Sequence, residues 1–325
     1  MNYKIIRISE NNYQDIYNYI DKKKIQNLNF DDYYDYFFEN SFVYSNSFSR
    51  EMTILGNESI DIISNDQILQ FKWAQKYSPE ILDKEDRFIY KKILIKQIEF
   101  YKPNVLFFQH KSSLSNEELE QIKEKVKSIK LIAYHNGIPL DFKLIKNIDL
   151  IFAAIPSLYN LYKDQNSRVE LCYHYFDQNI LKKLTSTKKK HNLTFCGTLG
   201  RDDTTHSVRA NYLKFLKKKT DIKVFGNKKI NQENFFLKRL YKIFPNLNKK
   251  YFGLNYFKFL SESKMVFNCH TNEAQNNSGN LRMFEVAGVG SCLITEEFHN
   301  LPDLFEKDNE VITWLLYTSP SPRDG

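Results

Sequence analysis

Residues 261–295 read SESKMVFNCHTNEAQNNSGNLRMFEVAGVGSCLIT, and their punctuation decides the fold. Met265–Asn268 is a short apolar run closing on polar residues, the pattern of a buried strand. Ser278, Gly279 and Asn280 then open a helix that runs to about Ala287, and Ser291–Thr295 is a second buried strand. Strand, helix and strand in that order make a crossover unit of a parallel sheet. Upstream the scheme repeats, with strand Leu193–Cys196, a helix from Ser207 to Lys218, strand Ile222–Phe225 and a helix near Asn255–Ser261.

The first half alternates in the same way. Ile89–Tyr101 has apolar residues at helical spacing, and Pro103 precedes a buried-type strand, Val105–Phe108. Ser115 followed by Glu118 forms a capping box for a helix through Lys127, after which Leu131–Tyr134 and Leu150–Ala154 read as strands. The expected class is therefore α/β, two consecutive Rossmann-like domains with parallel sheets. Glycine usage separates them: only Gly56 and Gly137 precede residue 190, whereas Gly197, Gly200, Gly226, Gly253, Gly279, Gly288 and Gly290 crowd the later half. Glycine at strand ends lets backbone approach a ligand, so the later half reads as the phosphate-binding one. The polar stretch Thr185–Lys190 sets the boundary, giving domains 1–187 and 188–314.

A length of 325 residues agrees with two domains. The formal charge of +8 comes from thirty-eight Lys and only nine Arg, dispersed among Asn, Ile, Tyr and Phe. A scattered lysine excess is a solvated surface, so no nucleic-acid partner is expected. Cys172, Cys196, Cys269 and Cys292 contain no CxxC pair, and buried reduced thiols are expected rather than metal ligands. The start of the chain lacks the apolar core of a signal peptide, and no apolar run approaches a membrane span, so a cytoplasmic protein is expected. The basic, aromatic insertion Lys228–Tyr251 reads as a solvated helix pair, with peripheral contact to the inner membrane face as the alternative.

In open parallel sheets ligands sit beyond the carboxyl ends of strands. The polar groups there are Gly197–Arg201, Gly226, Asn268–His270 and Thr295–Glu297. At the helix start after Asn268, Ser278, Gly279 and Asn280 bring free N–H groups, and Arg282 adds a planar fork of donors suited to diphosphate oxygens. Glu285, one turn inward, accepts hydrogen bonds in the manner needed for a ribose diol; a surface ion pair between Arg282 and Glu285 is the competing reading. His206 and Arg209 form a second phosphate cluster. His135, after strand Leu131–Tyr134, is the candidate general base, with a hydrogen-bonded structural histidine as its equal alternative and His110 as the fallback. The aromatic run Phe30–Phe48 reads as core packing before it reads as an acceptor groove. Neither Asp31, Asp32 and Asp35 nor Asp202 and Asp203 form a DxD metal site, and no G-x-G-x-x-G follows the first strand of either domain.

The segment FGLNYFKFLSESKMVFNCHTNEAQNNSGNLRMFEVAGVGSCLIT, Phe252–Thr295, followed by NLPDLFEKDNEVITW, resembles the C-terminal domain of group-1, GT-B fold glycosyltransferases of the spore-maturation CgeB type. FCGTLG with HSVR, Phe195–Arg209, and LQFKWAQKY, Leu69–Tyr77, resemble other parts of that family. The resemblance implies transfer of a sugar from a nucleotide-sugar donor, held by the second domain, to a glycan, lipid-linked or protein acceptor entering from the first across a cleft. Without a DxD pair the transfer is expected to be metal-independent, and no cofactor is expected, the nucleotide-diphosphate sugar being a substrate. A nucleotide-sugar sensor without turnover is the alternative. Glu285 matches the glutamate of the family's N-x-R-x-F/Y-E signature, Asn280 and Arg282 complete it, Asn268 with His270 matches N-x-H, and His206 with Arg209 matches H-x-x-R. Where many retaining members carry a second glutamate, this chain has Asn277, which leaves retention or inversion open. From Leu315 the sequence LLYTSPSPRDG departs from the family pattern and reads as an artefactual tail, so the family's C-terminal crossover helix is expected to be missing.

Overall fold

The computed structural model describes residues 2–10, 25–41, 46–83, 85–109, 114–137, 146–165, 168–185, 188–197, 199, 207–226, 242–246, 251–270 and 276–314. The chain divides into two compact units, Met1–Cys172 and Tyr173–Gly325. The division falls earlier than the polar stretch Thr185–Lys190 because the intervening residues pack on the second unit. There Phe176 meets Phe257 at a ring-centroid distance of 6.0 Å and fills the space beside Gly288.

The first unit runs β1 (Lys4–Ser9), α1 (Phe30–Ser41), α2 (Ser47–Ile54), β2 (Glu58–Ile63), α3 (Gln67–Tyr77), α4 (Ile89–Tyr101), β3 (Val105–Gln109), α5 (Asn116–Lys125), β4 (Leu131–Asn136), β5 (Leu150–Ala153), α6 (Pro156–Lys163) and β6 (Val169–Leu171). Its six strands are parallel in the order β2-β1-β3-β4-β5-β6. The capping box is present at α5: Ser115 N–H donates to Glu118 Oε2 at 2.7 Å, and Glu118 N–H to Ser115 Oγ at 3.3 Å. Alternate residues Ile6 and Ile8, Leu106 and Phe108, and Ile132 and Tyr134 form one core face with Leu94 and Ile98 of α4 and Leu119 and Ile122 of α5. The aromatic run packs as core at Tyr33, Phe37 and Phe38.

The intervening positions of β1 and β2 carry an ion pair. Arg7 and Asp61 are register partners; the Arg7 Nε donates to Asp61 Oδ1, and their side chains are only 4% and 1% exposed. Arg7 Nη1 also donates to Gln109 Oε1 at 3.1 Å, and Asp61 N–H to the Tyr34 hydroxyl at 3.1 Å.

The second unit runs α7 (Asn179–Lys183), β7 (His191–Cys196), α8 (Ser207–Lys219), β8 (Lys223–Phe225), α9 (Gly253–Ser261), β9 (Ser263–Phe267), α10 (Leu281–Gly288), β10 (Cys292–Glu296) and β11 (Val311–Trp314). Its five strands are parallel in the order β11-β10-β9-β7-β8. Buried Leu193, Phe195, Val224 and Phe267 meet Ala210 and Leu213 of α8 in one core. Cys196 and Cys269 are buried as expected, but Cys292 is half-buried and Cys172 is exposed, because it stands just past the edge strand β6.

Candidate functional site

Counted within the second unit, the strands lie in the order 5-4-3-1-2, so the winding reverses between its first strand, β7, and its third, β9. Beyond the carboxyl ends of two such strands the flanking connections diverge and leave a crevice. Gly197 follows β7 directly, Asn268, Cys269 and His270 follow β9, and the N-terminus of α10 opens beside them. A Cβ on Gly197 would lie 2.9 Å from the Phe195 ring, so glycine there leaves room for that ring, and it would stand in ordinary contact, 3.6 Å, with Arg282 Nη1.

Arg282 and Glu285 are not a surface pair. Their side chains are 22% and 14% exposed, and Arg282 Nε is 3.6 Å from Glu285 Oε2, too long for a tight hydrogen bond. The same carboxylate oxygen accepts a 2.7 Å hydrogen bond from the Tyr256 hydroxyl of α9, and the Arg282 guanidinium lies 5.6 Å from the centroid of that tyrosine ring. Burial pushes the Glu285 carboxyl above its ordinary value, opposed by the Arg282 charge and the Tyr256 hydrogen bond. Tyr256 escapes sequence reading because its spacing on α9 is that of a core residue.

Arg209, on α8, is buried, donates from Nη2 to the Cys269 carbonyl at 2.6 Å and stacks its guanidinium 5.6 Å from the Phe195 centroid. Burial lowers its pKa, and the Arg282 charge lowers it further, so the two cations feel one another. Two guanidinium groups held this way at a strand-end crevice make a receptor for an anion.

Asn268 and Asn280, both expected at the donor, are bonded to one another. Their side-chain amides hydrogen-bond reciprocally at 3.2 and 3.0 Å, and Asn268 Nδ2 also donates to Thr295 Oγ1 at 3.1 Å. The pair pins α10 to β9. Asn280 consequently makes no side-chain capping bond at the helix N-terminus it precedes. Ser278 is anchored by Asn300, which accepts from its N–H at 2.7 Å and donates to its carbonyl at 2.9 Å, while Ser278 Oγ is buried without a hydrogen-bond partner. Gly279 holds φ at 135°, a conformation open to glycine. The His270 N–H and Nδ1 both bond the Glu296 carboxylate, at 2.9 and 2.8 Å. Glu296 falls at the end of β10, where the strand-end rule points, but its pairing with His270 appears only in three dimensions.

His206, His110, Asp202, Asp203, residues 228–241 and 247–250 of the basic insertion and the tail from Leu315 lie outside the described residues. His135 lies within β4, not after it, because pairing with β5 continues to Asn136. It is buried, and its Nε2 is 3.1 Å from the Cys172 carbonyl. Burial lowers its pKa, with the Cys172 bond opposing. Among the described residues, no three His, Cys, Asp or Glu side chains gather as a metal site would, and no helix is long and apolar enough to cross a membrane.

Residues 206–321 match a family described as Glycosyl transferase-like. No curated protein matches the chain. Among solved structures, Anabaena HepE in complex with UDP-glucose is similar at 9% identity, over 96% of this chain and 85% of that one, with a TM-score of 0.51. The UDP-GlcNAc 2-epimerase of Neisseria meningitidis, bound to UDP-GlcNAc, is similar at 9% identity over 90% and 82%, with a TM-score of 0.51. The N-terminal domain of Candida albicans trehalose-6-phosphate phosphatase is similar at 11% identity over 97% and 86%, with a TM-score of 0.50. The chain thus has a GT-B fold of two Rossmann-like domains, with a glycosyl transferase-like match that spans every candidate residue of the second sheet end except Gly197.

Proposed function

We propose that the protein is a glycosyltransferase of the spore-maturation CgeB type, which moves a sugar from a nucleotide-diphosphate donor to a glycan, lipid-linked or protein acceptor without a metal. The observation that carries this is the convergence of Gly197, Arg209, Arg282 and Glu285 on the β7/β9 crevice, within a region that matches a transferase family. Breaking the sugar–phosphate bond develops charge on the leaving diphosphate. Arg209, Arg282 and the open N–H groups of α10 stabilise that charge more in the transition state than in the ground state. Glu285, steadied by Tyr256, takes the ribose diol, and Ser278, Gly279 and His206 complete the donor site.

Incubating the protein with a panel of nucleotide sugars, beginning with UDP-glucose and UDP-GlcNAc, and measuring nucleotide diphosphate release with and without acceptors tests the reading. Binding without turnover across the acceptor panel would make the chain a sensor. Turnover is expected to survive EDTA; loss restored by Mn²⁺ or Mg²⁺ would overturn metal independence.

Glu285→Ala is expected to weaken donor binding by about 1–3 kcal/mol, since it removes buried hydrogen bonds to the ribose. Unchanged affinity in a folded variant removes Glu285 from the site. Of the two parts open to His135, we assign the structural one, because its ring is buried and bonded to the Cys172 carbonyl. His135→Ala should then lower stability and turnover together. The folded ring resists protonation, so the unfolded chain binds more protons and stability should fall as pH drops below about 6.5, less so in the variant. A large loss of turnover at unchanged stability would restore the general base.

A further inference from the structure

At the carboxyl end of the second sheet, His270 Nε2 and Ser278 Oγ are among the buried polar atoms without a hydrogen-bond partner. His270 is anchored to the end of β10 through Glu296, and Ser278 to the connection after it through Asn300. The His270 side chain is 2% exposed and that of Glu296 4%, and the imidazole packs against Phe298 at 5.1 Å between ring centroids. Buried polar groups in folded proteins are nearly always paired, so an imidazole fixed on one side and unpaired on the other points to a missing partner.

We infer that Glu296 and His270 act as a dyad in which Glu296 orients the ring and His270 Nε2–H donates a hydrogen bond to a phosphate oxygen of the donor diphosphate. The inference rests on the nucleotide-sugar reading and deepens it by adding a contacting residue and the positioning residue behind it. Burial pushes the Glu296 carboxyl up, but the His270 hydrogen bond and charge and two backbone N–H groups outweigh burial and hold it below its ordinary value. An ionised carboxylate only accepts, so Nδ1 carries a proton and the ring presents Nε2 outward from the pair. Donation from Nε2 as well requires the imidazolium form, in which both ring nitrogens carry a proton. The charged neighbours agree with this placement. Glu296 from β10 supports an imidazolium, and Arg209 from α8, which bonds the carbonyl of adjacent Cys269, places a second donor group beside the same turn. The anion therefore meets a ring carried just past β9 and a fork carried by α8 and bonded to the residue before that ring.

Calorimetric titration of the full chain with UDP, GDP, ADP, CDP and dTDP, and with the matching nucleosides, tests the inference. The wild type should bind at least one diphosphate. His270→Asn should weaken that diphosphate by about 10- to 100-fold, as expected for loss of a charged hydrogen bond, and leave the matching nucleoside unchanged. Glu296→Gln, which keeps an acceptor for Nδ1 but removes the charge, should fall between wild type and His270→Asn. Equal diphosphate affinity in wild type and His270→Asn overturns the dyad while leaving the nucleotide reading intact. Equal losses for diphosphate and nucleoside also overturn it. Absence of binding by the wild type to every diphosphate overturns the reading and the dyad together. If His270→Asn does not fold, the ¹⁵N resonance of His270 Nε2 in the wild type decides: it should move on addition of the bound diphosphate, and a stationary resonance counts against the inference.

Discussion

Asp61→Ala is expected to lower the stability of the first domain by about 3–5 kcal/mol, the cost of leaving one charge of a buried pair without its partner. Arg7 and Asp61 face one another in the middle of β1 and β2, where neither side chain reaches water. Removing the carboxylate takes a counter-charge from the desolvated Arg7 guanidinium, and the neutral Gln109 amide oxygen that it also bonds does not replace a charge. Replacing both residues together, as in Arg7→Met with Asp61→Leu, should cost far less than the single change, because no charge is then stranded. Trp73 lies in the first unit and Trp314 in the second, so urea unfolding followed by tryptophan fluorescence in a Trp314→Phe background reports on the first domain. A single-variant loss below about 1 kcal/mol would mean that water reaches the pair or that the strand relaxes around it.

Arg282→Ala is expected to lower kcat/KM by about 10²- to 10³-fold, or about 2.7–4 kcal/mol of transition-state stabilisation. The geometry behind this number is specific. At 3.6 Å, Arg282 makes only a loose contact with Glu285, while its guanidinium lies across the Tyr256 ring and reaches the backbone at Gly197. The guanidinium thus stands beside Glu285, Tyr256 and the strand end at Gly197, where a diphosphate is expected to lie. Arg282→Lys keeps the charge but loses the planar fork, so it should fall between wild type and alanine. Full activity of Arg282→Ala would remove the residue from the reaction. A loss confined to KM would show that it binds donor and transition state equally.

The first unit shows where reading a strand from its residues stops. Val105–Phe108 and Leu131–Tyr134 are legible because both faces of a parallel sheet are covered and their strands are nearly continuous apolar runs. Lys4–Ser9 and Glu58–Ile63 interrupt such runs with Arg7 and Asp61, and only their register shows that the two charges cancel across the sheet. His135 moves inside its strand for a related reason: polar residues at a strand end look like a loop until pairing with the next strand, Asn136 with Ala153, extends the ladder.

In the second unit the strand ends and the helix start at Asn280 were legible from punctuation alone, as were the candidates Gly197, Arg209, His270, Arg282 and Glu285. Local residue types specify these because apolar period, glycine and capping chemistry act over a few neighbours. What the groups do to one another lay beyond sequence. Asn268 meets Asn280, Tyr256 meets Glu285, and His270 meets Glu296 across separations of 12, 29 and 26 residues. Each pairing depends on which strands become neighbours and in what register. The chain by itself determined an α/β alternation and where its reactive residues lie along it. Only the tertiary structure decided which of them gather at one strand-end crevice and which bond to one another, because hydrogen bonds and burial act through space, not along the chain.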